Sequence, residues 1–108
     1  MQTVVLPRTF NTASMYGLSS QIINLNGEPK SRAVVFDFKA LVFIEPVGVV
    51  VLSNLVEYLK TKNTICSFTG LGLTKPVVYL DDSGFFERYS GRSIRDHAAV
   101  RVGTLPLT

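Results

Sequence analysis

Ala33-Val34-Val35-Phe36-Asp37-Phe38, followed after two residues by Leu41-Val42-Phe43-Ile44 and then by Glu45-Pro46-Val47-Gly48, is the stretch on which the fold turns. The first run is β-branched and aromatic and has the length of a buried strand. Leu41 to Ile44 is a second apolar burst, halted at Glu45-Pro46. Proline fits the first turn of a helix, where its missing N–H would be unpaired in any case. The spacing predicts a helix over 46–62, because Gly48, Val51, Leu52, Leu55, Val56 and Leu59 share one face at a 3.6-residue period. The opposite face begins with Val47 and Val50 and continues with Asn54 and Glu57. Its first turns are therefore expected to hold two valines in water.

Working outward, Met1 to Leu6 reads as a short strand built on Thr3, Val4, Val5 and Leu6 and stopped by Pro7, which cannot donate to a ladder, so a central position is not expected. Asn11 or Thr12 can cap a helix whose apolar positions are Met15, Leu18, Ile22 and Leu25, with Asn26-Gly27 as its stop. On the other side, residues 64–68 form the next strand. Gly70-Leu71-Gly72 leaves it as a loop. Thr74 can cap a short helix up to Ser83, with Gly84 free to take the left-handed conformation beyond its end, and Phe85 and Phe86 return to the core. Strand and helix alternate, which predicts one α/β domain with a mostly parallel sheet and helices packed on it.

The chain has 108 residues, 46% hydrophobic and 18% charged, enough apolar material to offset the entropy of ordering one domain. A lone cysteine, Cys66, forbids an internal disulfide and fits a reducing cytoplasm, and no basic-then-apolar signal opens the chain. The longest apolar stretch, residues 47–52, is far short of the roughly 20 residues a membrane span needs. The formal charge of +3 is uneven, with Arg88, Arg92, Arg95 and Arg101 in the last quarter. A solvated basic extension over 90–108 is expected rather than a nucleic-acid surface, since only Tyr89 offers a base-stacking ring. That end reads as a segment that docks on something or leads into a further domain.

Candidate chemistry is thin. Gly70-x-Gly72 lacks the third glycine of a dinucleotide fingerprint, because Lys75 stands there, and no phosphate-loop sequence exists. Asp81 and Asp82 are neighbours, so on a helix they diverge by about 100° and cannot flank one substrate. They are expected to be solvated beside the helix end. Cys66 on an apolar strand reads as a small core residue, and a single histidine, His97, cannot build a histidine cluster. Glu45 has no converging nucleophile and reads as an acidic group beside a helix amino terminus. No catalysis, cofactor or metal is expected.

The block from Val34 to Tyr89 resembles a STAS domain, the module of sulphate-transporter tails and anti-sigma-factor antagonists. The buried strand over 34–38 and the hydrophobic turn over 41–44 are similar to the family's. Glu45-Pro46-Val47-Gly48 stands where the family usually has an acidic residue, two hydroxyl residues and glycine. Ile65-Cys66-Ser67-Phe68 matches its next strand, and residues 75–86 its short helix ending in Ser-Gly. The resemblance implies a four- or five-stranded sheet, the lower number because the amino-terminal part is short for the antiparallel strand pair many members carry. Pro46 and Val47 replace the hydroxyl residues, one of which is phosphorylated in switching members, so the switch is expected to be missing. The resemblance implies a non-catalytic STAS-like interaction domain over 1–89. Its expected partner is an ATP-binding, histidine-kinase-like switch protein or a sigma-factor regulator, separate or fused. Glu45, Pro46, Val47, Gly48, Val50 and Asn54, with Asn11 and Thr12 of the first helix, are the expected docking residues. The alternative reading is a sensor of a nucleotide or lipid.

Overall fold

The computed structural model describes residues 1–90. Its elements are β1 (Gln2–Val5), β2 (Thr9–Phe10), α1 (Thr12–Ile22), β3 (Ala33–Asp37), β4 (Phe43–Ile44), α2 (Pro46–Thr61), β5 (Ile65–Thr69), α3 (Lys75–Asp82) and α4 (Phe85–Ser90). They form one α/β domain in which the pairs between these strands are all parallel, beside one isolated antiparallel bridge of Ile23 with Pro29, but the strands divide into two sheets where one of four or five strands was expected. One sheet has the order β1-β3-β5 and the other pairs β2 with β4. The division has a simple cause. Val5 is opposite Asp37 and Thr9 opposite Phe43, so the β3–β4 connection holds two more residues than the β1–β2 connection. The strand pair cannot keep register across that excess; it breaks and resumes, with Val42 and Phe43 both donating their N–H to the Arg8 carbonyl.

The register assigns side chains to two sheet faces. Val4, Phe36 and Phe68 lie in one row and Val34 and Cys66 in the next, all on one face. That face meets Leu52, Val56 and Leu59 of α2, Leu18 and Ile22 of α1, and Leu80, Phe85 and Phe86 near the chain's described end. Phe38, Phe68, Phe85 and Phe86 meet edge to face, with centroids 5.1–6.0 Å apart. The opposite face carries Thr3, Val5, Ala33, Val35, Ile65, Ser67 and Thr69, most of them exposed.

Local structure departs from expectation at three places. The first helix stops at Ile22 because Ile23 is extended and the chain reverses at Asn24, whose side chain accepts from the N–H groups of Asn26 and Glu28. Leu25 therefore projects from a turn, fully exposed, instead of joining the helix's inner face. Phe85 and Phe86 do return to the core, but on the additional helix α4. It follows directly from Gly84, whose φ of +84° ends α3, and Tyr89 ties it to α2 by donating to the Glu57 carboxylate at 3.0 Å. Asp81 is 2% exposed, not solvated. The basic extension expected over 90–108 lies, beyond Ser90, outside the described residues.

Candidate functional site

The β2/β4 ladder decides what stands beside the Pro46 helix. Phe10 pairs with Ile44 in parallel, and each strand runs directly into a helix, so α1 and α2 start side by side. Glu45 donates its N–H to the Phe10 carbonyl at 3.1 Å. Asn11 and Thr12 are thereby brought against Glu45 and Pro46, although 34 positions separate Asn11 from Glu45. Asn11 makes a reciprocal cap. Its side-chain oxygen accepts the Ser14 N–H at 3.1 Å, and the Ser14 hydroxyl accepts the Asn11 N–H at 2.9 Å. Glu45 occupies the cap position of α2 without a side-chain capping bond.

The docking residues expected from sequence do not form one exposed surface. Gly48 is buried, which removes it as a contact residue. A Cβ there would lie 2.7 Å from the Phe10 carbonyl oxygen and 3.0 Å from Ile44 Cγ1. Its role is to let β2 and β4 close on the first turn of α2. Val47 and Val50 are 43% and 56% exposed, and with Asn54 they line one outward stripe at three- and four-residue spacing.

Pro46 joins this stripe to a groove of about 360 Å³ that the sequence reading missed. One wall is Val42, Phe43 and Pro46; the other is Lys75, Pro76 and Tyr79 of α3. Val42 and Phe43 are more than half exposed between the buried Leu41 and Ile44. An unbroken apolar run gives no sign of which members face out, and the register break at β4 turns the middle pair outward. Two of the groove's wall residues carry ionisable groups, the Lys75 ammonium and the Tyr79 phenol, and no carboxylate, thiol or imidazole stands among the lining residues. The site can bind apolar matter, with the Lys75 ammonium and the Tyr79 hydroxyl as its polar groups.

Among the described residues no group of three or more His, Cys, Asp or Glu gathers in metal-binding geometry. Cys66 is half-buried on the inner face of β5, and burial pushes its thiol above the ordinary value of 9.0, only partly opposed by the nearby Lys60 ammonium. That is the direction of an inert thiol. No described helix is long and apolar enough to cross a membrane. Comparison with family models, with curated proteins and with solved structures finds no match to this chain.

Proposed function

We propose that this chain is a non-catalytic, STAS-like regulatory domain that docks a protein partner on the start of α2 and the groove beside it. The observation that carries the reading is the continuity of exposed apolar surface: Val47 and Val50 on the helix, joined through Pro46 to the groove walled by Phe43 and Tyr79. Exposed apolar residues scattered singly need no explanation, but a stripe merging with an apolar groove is the form of an interface. The turn over 45–48 has no hydroxyl to accept phosphate, so docking here is constitutive or is regulated on the partner's side. By the resemblance, the partner is an ATP-binding switch protein or a sigma-factor regulator.

The test is a matched pair of substitutions on opposite faces of α2, titrated against the candidate switch kinase or regulator. Val50→Asp should weaken binding by about 2 kcal/mol or more, a factor of roughly 30, with little change in a denaturant melt. Leu55→Ala, on the inward face, should cost about 2–5 kcal/mol of stability through the cavity it leaves. The reading fails if Val50→Asp unfolds the domain as readily as Leu55→Ala, or leaves affinity unchanged. A second reading rests on the groove alone, whose volume falls in the ligand-pocket range of roughly 300–1,000 Å³. A saturable thermal shift with a nucleotide or lipid, in the absence of any protein partner, would favour a sensor.

A further inference from the structure

The end of the molecule away from this groove carries a different surface. Here lie the amino ends of β1, β3 and β5, the carboxyl end of α2 and the turn that follows α1. Ala33 is opposite Ile65, and Gln2 is opposite Val34, so Met1 continues the row beside Ala33. Met1 and Ile65, at the two ends of that row, are 90% and 71% exposed. Leu25 projects fully from the turn after α1 at this end, a turn held to α2 by Tyr58, which donates to the Gly27 carbonyl, and by the Lys62–Glu28 ion pair at 3.3 Å. All three aliphatic side chains are left largely open to water by the described fold.

The same end is basic. Lys30, Arg32 and Lys62 line one cleft with a single carboxylate, Glu28. Glu28 is engaged by Lys62, and neither Lys30 nor Arg32 forms an ion pair with any described residue. Arg32 and Ile65 are immediate neighbours, since the Ile65 N–H donates to the Arg32 carbonyl at 2.8 Å. The basic cleft thus lies at the same end of the fold as the exposed aliphatic residues, Arg32 beside Ile65 through the backbone and Glu28 in the turn that carries Leu25.

We infer that this rim is a peripheral docking surface for an anionic lipid bilayer, with Leu25, Ile65 and Met1 entering the headgroup boundary while Lys30 and Arg32 face its negative charge. The complementarity is twofold. Each cation near an anionic leaflet adds attraction that salt screens, and each inserted aliphatic side chain adds a term that salt does not remove. Nucleic acid would answer the charge but leave three aliphatic side chains in water. The one aromatic ring at this rim, Tyr58, lies under the Lys62 ammonium, so no clear stacking platform is presented. The surface is independent of the groove, and its partner need not be present for it to act.

The full chain is sedimented with vesicles of phosphatidylcholine alone and of phosphatidylcholine mixed with phosphatidylserine. Binding is expected to the mixed vesicles only, and to weaken as salt rises. Leu25→Ser should lower the partition coefficient about tenfold, the effect of withholding one leucine from the apolar phase. Lys30→Gln and Arg32→Gln should each lower it about fivefold. Leu25 touches nothing in the fold, so its substitution cannot act by unfolding, and a thermal melt of each variant confirms this. The inference is overturned by absence of binding to the mixed vesicles, by equal binding to neutral ones, or by Leu25→Ser binding as tightly as the parent. It is equally overturned if duplex DNA displaces the vesicles and itself binds the Leu25→Ser variant unchanged, which would make the rim a nucleic-acid surface.

Discussion

At Gly48 a methyl group has nowhere to go. The Phe10 carbonyl oxygen and ring edge and the Ile44 side chain all stand within 3.0 Å of where it would be placed, and the carbonyl belongs to a strand fixed by its own ladder. Gly48→Ala should therefore cost about 1–3 kcal/mol in a urea melt, the scale of overpacking, despite the better helix propensity of alanine. An unchanged or raised midpoint would show that β2 can move away. In the sequence, Gly48 is legible as a helix residue on the inner face, but nothing there says that a two-residue strand lies against it. Asp81 was misread for a related reason. Its burial depends on packing beyond its own short helix, and neither α3 nor the six-residue α4 that follows it has enough turns for a period to be seen.

Among the elements, the helix starts show how far capping rules carry. Asn11 and Thr74 both read as caps in the sequence, and both stand at cap positions, but only Asn11 makes the bond. Asn11→Ala should cost about 1 kcal/mol, while Thr74→Ala should stay within about 0.5 kcal/mol, measured side by side by thermal or denaturant unfolding. Equal losses would mean that Thr74 caps in solution. The long elements were legible because their periods repeat: β3, β5 and α2 fall within a residue or two of their expected bounds. The two-residue strands were not, since a strand that short has no alternation to read. That omission hid the groove, because β4 is what turns Val42 and Phe43 outward.

Across the whole molecule, strand order decides which surfaces remain open. The sheet grows in one direction, β1 to β3 to β5, and right-handed crossovers taken in one direction deliver their helices to one face. The helices' buried side chains meet the Val34, Phe36 and Phe68 face, and the Val35, Ile65 and Ser67 face is left without a helical layer among the described residues. Parallel sheets are ordinarily covered on both faces, so this one is unusual, and its strands should tolerate change very differently by parity. Phe36→Ala, at a fully buried position of the central strand, should cost about 3–5 kcal/mol. Ile65→Thr, which keeps the β-branch on the open face, should stay within about 0.5 kcal/mol. Denaturant melts of the full chain decide between two situations. A small effect at Ile65 leaves the face exposed to water and available to a lipid surface or another protein. A loss approaching that of Phe36→Ala would mean that something in the full chain already covers it, and the rim proposed to meet a bilayer would then be an internal contact.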